Sequence, residues 1–191
     1  AFRRHLSSAF DVFAAITIPI AVGAQAVSVP LITLIAGEKY AVSGPILQLL
    51  ILALAMVFFS SLYGHAVVAI NKQKPMIWGY AFVAAVSVAG YLALIPRFGA
   101  WGAASVTLVS ELLITLITFE VVRRETRAVP SPVVFLKAVA CSALMYLALR
   151  ALPEMHVLAT VAIGGAVYFA AMVAIGGIDS KKLAELRRPT V

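Results

Sequence analysis

The chain has 191 residues, of which 63% are hydrophobic and only 12% charged, with a mean hydropathy of +1.03. That is far from the roughly 45–50% apolar and 25% charged of a soluble domain, and it identifies an integral membrane protein. The net charge of +7 sits in short clusters at the ends of apolar segments, where basic residues orient helices against the cytoplasmic leaflet, so a nucleic-acid partner is excluded.

The start, AFRRHLSSAF, carries a charged flank but no short apolar core followed by a small-residue cleavage site. It is therefore not a signal peptide, and it reads as a loop entered from an earlier part of a longer protein. The first span is expected over about residues 10–36 and contains Pro19 and Pro30. Each proline removes an intrahelical hydrogen bond, so the helix is expected to be kinked or locally unwound, and both prolines are candidate hinges. Thr17, Gln25 and Ser28 fall roughly on one face, which makes Gln25 a candidate for lining a cavity, with interhelical bonding as the competing reading.

Gly37-Glu38-Lys39-Tyr40 forms a short exit loop, and Ser43-Gly44-Pro45 reads as a helix start with proline in the first turn. The second span, about 45–70, is long enough to be tilted, with His65 near its inner end. Asn71-Lys72-Gln73-Lys74-Pro75 is a tight basic turn into the third span, 76–95, where Trp78 and Tyr80 read as interfacial aromatics. Tyr80, Ser87 and Tyr91 share a face that suits either sugar stacking or packing. That helix is expected to stop near Ile95, because the residue before Pro96 is pushed out of the helical region.

The fourth span, about 101–122, is the centre of the chain. Thr107, Glu111, Thr115 and Thr118 are spaced four, four and three apart, which draws a polar stripe along one face of an apolar helix. A carboxylate near mid-bilayer is costly and faces protein or a water-filled cavity, so Glu111 is a candidate for the transport path, together with Thr107, Thr115, Gln25, Tyr80 and Tyr91. The alternative is a protonated Glu111 that only holds neighbouring helices together.

Ala128-Val129-Pro130-Ser131-Pro132 is the clearest linker. A fifth span over 133–152 begins with Lys137 close enough to the interface to snorkel. A sixth over 156–176 carries Thr160, Gly164 and Tyr168 on a face suited to close approach, and a polar basic tail, 177–191, ends the chain. With both termini inside, twelve of the fifteen basic residues lie on the inner side, leaving only Lys39, Arg97 and Arg150 outside. The positive-inside rule favours this arrangement of six spans with cytoplasmic ends.

No nucleophile with a base, paired carboxylates or ligand cluster with metal spacing is legible, so no catalytic residue, metal or cofactor is expected and the chain does not read as an enzyme. His5, His65 and His156 belong to distant segments. The lone Cys141 supports neither a disulfide framework nor a cysteine metal site.

Leu34-Ile35-Ala36-Gly37 followed by Glu38-Lys39-Tyr40, then Leu49-Leu50-Ile51-Leu52-Ala53, the Asn71–Pro75 turn, and Ile95-Pro96-Arg97-Phe98-Gly99-Ala100-Trp101-Gly102-Ala103-Ala104 with Ser110-Glu111 resemble the C-terminal part of polysaccharide biosynthesis proteins. These are lipid-linked oligosaccharide flippases, O-antigen flippases among them, of the multidrug/oligosaccharidyl-lipid/polysaccharide exporter superfamily. The similarity covers about residues 10–125, and the last two helices fit by position and hydropathy alone.

The resemblance implies an all-α, polytopic fold in which these six helices form most of one lobe of a two-lobe, alternating-access transporter of the bacterial inner membrane. It implies a polyprenyl-pyrophosphate-linked oligosaccharide as substrate and the lipid bilayer as surroundings. The other lobe would be supplied by a missing N-terminal part or a second subunit. Glu111 would then suit coupling to a proton or sodium ion, since the half described here offers no mid-membrane cation for pyrophosphate. A cation-coupled multidrug antiporter of the same superfamily and a non-transporting assembly subunit are the alternatives.

Overall fold

In a computed structural model the described residues are 2–153 and 155–177. Glu154 and the tail 178–191 lie outside them, so the expectation of a cytoplasmic tail is not addressed. Six helices follow in order: α1 (Phe2–Ala36), α2 (Gly44–Ala69), α3 (Gln73–Phe98), α4 (Ala100–Thr126), α5 (Pro132–Ala151) and α6 (Val157–Ala174), with a 3₁₀ turn at Glu38–Ser43. All six are long and apolar enough to cross a membrane, and no strand occurs among the described residues.

Helices α1, α3 and α4 overrun their expected spans because a helix does not end where lipid does, whereas α2, α5 and α6 keep within two residues of theirs. The first begins at Phe2 rather than near Phe10. Its polar first turns are held by Leu6, buried in the core, and by Arg3, whose Nε and Nη2 donate to the Thr126 carbonyl at the end of α4, with Nε at 2.9 Å. The fourth continues through Arg123 and Arg124 to Thr126, and Arg127 closes it in the left-handed conformation, φ 53°, its N–H on the Arg123 carbonyl. Cationic side chains there also suit the negative end of the helix dipole.

One expectation built on proline needs correcting. Helix α3 runs through Pro96 to Phe98 instead of stopping near Ile95. The stop is set by Gly99, whose φ of 54° and ψ of −130° suit glycine. The next glycine, Gly102, permits the tight return, since a Cβ there would lie 2.5 Å from the Leu94 carbonyl oxygen. The Pro-x-x-Gly-x-x-Gly run thus encodes a helical hairpin between α3 and α4.

In α1 the backbone stays helical through Pro19 and Pro30 rather than unwinding locally. Pro19 has no N–H to give to the carbonyl four residues back, that of Ala15. The Tyr168 hydroxyl of α6 donates to that carbonyl at 2.7 Å, and Tyr168 is only 3% exposed. The proline notch is therefore filled by a donor from a neighbouring helix, as a membrane interior requires.

The helices lie in the order α3, α4, α2, α1, with α5 and α6 packed on α1 at the far side. One core cluster joins α1, α2, α5 and α6 around Ala14, Phe59, Ala138, Cys141, Tyr168 and Met172; the other gathers Leu6, Tyr63, Ala66, Met76 and Val122 near the Arg3–Thr126 end. Alanines at these contacts let backbones approach, which matters because lipid supplies no hydrophobic drive for helix association. Helix α3 packs mainly on α4 and buries only Met76 and Val83, leaving Trp78, Phe82 and Leu92 facing outward.

One end of the bundle is stitched together by polar contacts. Besides Arg3 and Thr126, Lys72 in the α2–α3 turn pairs with Glu125 at 3.0 Å, and Lys137 at the start of α5 donates to the Gly176 carbonyl just past α6 at 3.1 Å. The start of α1, the α2–α3 turn, the end of α4, the start of α5 and the end of α6 therefore share one side, as an even number of up-and-down crossings demands.

Candidate functional site

Glu111 lies on α4, eleven residues after Ala100 and fifteen before Thr126. At 1.5 Å per residue it sits about 16 Å from one helix end and about 22 Å from the other, close to the middle of the span. The carboxylate makes no hydrogen bond or ion pair among the described residues and is only partly buried. It opens into a shallow groove of about 420 Å³ between α2, α3 and α4, whose other walls include Ser60, Ser61, His65, Tyr80 and Ile114.

Gly64 of α2 faces Tyr80 of α3 across the groove, and a Cβ there would lie 4.0 Å from the Tyr80 hydroxyl, at ordinary contact distance. Its polar atoms are acceptors or neutral hydroxyls. The Ser60 hydroxyl donates to the Val57 carbonyl, leaving its oxygen free to accept. His65 holds the Ser61 carbonyl at 2.7 Å through Nδ1, and since a carbonyl only accepts, Nδ1 carries the proton and Nε2 is the open position. No Lys or Arg lines the groove.

The rest of the polar stripe is divided between helix contacts. Thr107 donates to the Ala103 carbonyl at 3.0 Å, so the 3.1 Å contact with Tyr91 is one in which the tyrosine hydroxyl donates, tying α3 to α4. Thr115 aims its hydroxyl at the Met56 carbonyl of α2 (3.0 Å) and at the Glu111 carbonyl (2.8 Å). Thr118 is fully buried and bonds within its own helix. Of the six path candidates, only Glu111 and Tyr80 line the groove.

Gln25 is placed elsewhere. Its amide donates to the Gln48 carbonyl at 3.1 Å while the Gln48 amide donates to the Gln25 carbonyl at 3.0 Å, a reciprocal clasp between α1 and α2. Of Tyr80, Ser87 and Tyr91, the first lines the groove, the second bonds the Val83 carbonyl of its own helix and lines a separate cleft, and the third is engaged with Thr107. Sequence reasoning passed over Ser60, Ser61 and Gln48 altogether. A Ser-Ser pair four and five residues before His65 was a visible signal, but only the packing of α2 against α4 turns it toward Glu111.

No group of three or more His, Cys, Asp and Glu side chains suited to a metal ion occurs among the described residues. The site offers one unpaired carboxylate, a histidine with one open nitrogen, and hydroxyls. That set can bind or release a proton or hold a small cation.

No family model matches the sequence, and no curated protein does. Among solved structures, the fold is similar to that of lipid II flippase MurJ in its inward closed conformation, with a TM-score of 0.81 at 20% identity over 92% of this chain. The unmatched remainder is shorter than either α5 or α6, so the likeness in fold reaches both of those helices and extends past residue 125. The chain spans 39% of the length of that protein. The six helices therefore have the fold of part of a polytopic membrane flippase.

Proposed function

We propose that the chain forms most of one lobe of a transporter that moves a lipid-linked oligosaccharide across the cytoplasmic membrane by alternating access, with both ends of the bundle's stitched side in the cytoplasm. The observation that carries this reading is the fold likeness to a lipid II flippase over 92% of the chain. The stretch of 39% matched in that protein leaves room for a second lobe, which would close the open side of α2, α3 and α4. Bacterial origin and an inner-membrane location follow from the same reading.

In this scheme the substrate's lipid tail stays in the bilayer against outward side chains such as Trp78, Phe82 and Leu92, while the headgroup crosses between the lobes. The cations that neutralise a pyrophosphate come from the other lobe or from the rim, because the groove holds none. Glu111 supplies coupling, its charge changing through the cycle as a proton or sodium ion binds and leaves. A cation-coupled multidrug antiporter remains the second reading, favoured by the unpaired carboxylate alone.

Deletion of the gene separates the two. Loss of surface polysaccharide with accumulation of its lipid-linked precursor inside the cell supports the flippase. Unchanged polysaccharide with altered drug sensitivity supports the antiporter, and no change in either removes transport as the function.

A further inference from the structure

The groove is asymmetric along the membrane. It extends from Glu111, near the middle of α4, to His65, which lies four residues before the end of α2 at Ala69. That is the end bearing the Lys72–Glu125 pair. In the opposite direction the passage is shut about 6 Å beyond Glu111, one turn along α4. There the Tyr91 hydroxyl is bonded to Thr107, and Val106 is packed on Gly90 so closely that a Cβ on that glycine would lie 3.0 Å from it. On the outer half of the α3–α4 seam lies a separate cleft of about 150 Å³, lined by Gly90, Leu94, Val106 and Val109 together with Ser87, Ser105 and Ser110.

We propose that this groove is a one-sided access path by which a small monovalent cation, a proton or a sodium ion, reaches Glu111 from the Lys72 end, with the Tyr91–Thr107 contact as its closure on the other side. The proposal rests on the coupling role given to Glu111 above. The lining favours a cation over an anion: one carboxylate, the open Nε2 of His65, the hydroxyls of Ser60, Ser61 and Tyr80, and no basic side chain. The titratable groups facing Glu111 are His65 from α2 and Tyr80 from α3, with Tyr91 one turn outward. Tyr63 is turned into the core against Phe119, and Glu120 is occupied by Arg123 and Arg124.

The test is accessibility from each side. Single cysteines are placed at Glu111, at Ile114 on the α4 wall and at Ser61 on the α2 wall, in the full-length protein in sealed vesicles of both orientations. A membrane-impermeant methanethiosulfonate is then added. The native Cys141 is 1% exposed, so the parent protein provides the blank. Access from the opposite side needs a minor conformation of about 10% or less, so E111C and I114C should react at least about tenfold faster from the Lys72 side. Adding Tyr91→Phe should narrow that ratio. I114C and S61C leave the carboxylate in place and carry the test if E111C does not fold.

Equal rates from both sides, faster reaction from the opposite side, or no reaction at Glu111 and Ile114 from either side would overturn the proposal. The readout needs no transported substrate. Sidedness that holds in a protein that moves no lipid-linked oligosaccharide would sink the flippase reading and leave the access path standing.

Discussion

The contact between Tyr168 and Ala15 makes a quantitative prediction. Tyr168→Phe removes one hydroxyl and leaves the ring, whose packing against Phe169 and the α1–α5 core is unchanged. The lost bond would cost about 0.6 kcal/mol at the average for membrane helices and up to about 1.7. Here the upper part applies, because Pro19 denies the Ala15 carbonyl an intrahelical donor and a stranded buried acceptor costs about 1–3 kcal/mol. We expect about 1.5 kcal/mol, measured as a shift in the unfolding equilibrium of the purified protein in mixed micelles followed by circular dichroism. The decisive comparison is a double-mutant cycle with Pro19→Ala, which restores an N–H at position 19 within reach of the same carbonyl. In that background Tyr168→Phe should cost no more than about 0.5 kcal/mol, giving a coupling of about 1 kcal/mol. An equal cost in both backgrounds would refute the idea that the tyrosine serves the proline notch.

Gly102→Ala drives a methyl group into the Leu94 backbone, and overpacking of that kind costs about 1–3 kcal/mol; Gly165→Ala, which meets nothing within 4 Å, should be close to neutral in the same unfolding assay. Gln25→Leu and Gln48→Leu should each destabilise by removing one donor, and the double variant should lose about the sum of the two, since both acceptors are backbone carbonyls and either bond survives loss of the other side chain. Cysteines replacing Lys39 should label from outside the cell and those replacing Lys74 or Arg127 from inside; the reverse pattern would invert the topology.

Much of this architecture was legible in order and number because a span across lipid writes itself as a long apolar run. What escaped the sequence was where helices end and what polar side chains are for. Pro96 reads as a stop, but α3 passes through it and halts at Gly99, where backbone conformation and not the proline decides. Pro19 and Pro30 read as hinges. For Pro19 the missing information was a partner in α6, nearly 150 residues away along the chain, that meets the broken hydrogen bond.

The polar stripe shows the same limit. Spacing places Thr107, Glu111, Thr115 and Thr118 on one face, and that much follows from the helix period alone. A face, however, spans more than one neighbour. Thr107 meets α3, Thr115 meets α2, Thr118 satisfies its own helix, and Glu111 falls in the gap between α2 and α3, which no single-helix pattern can reveal. The Gln25 clasp escaped for the converse reason: its partner Gln48 sits in an otherwise apolar run, and only tertiary contact joins them.

The central claim is that Glu111 couples a cation to the movement of a lipid-linked oligosaccharide. The direct measurement is translocation of a fluorescent polyprenyl-pyrophosphoryl oligosaccharide by the full-length protein in liposomes under an imposed proton or sodium gradient, with Glu111→Gln compared against the parent. The account predicts a rate lowered by about tenfold or more, roughly 1.4 kcal/mol on the barrier, and loss of its dependence on the gradient, with helical content and insertion unchanged. A Glu111→Gln protein that flips the lipid at the parental rate and still responds to the gradient would contradict it, and would return Glu111 to a role in packing.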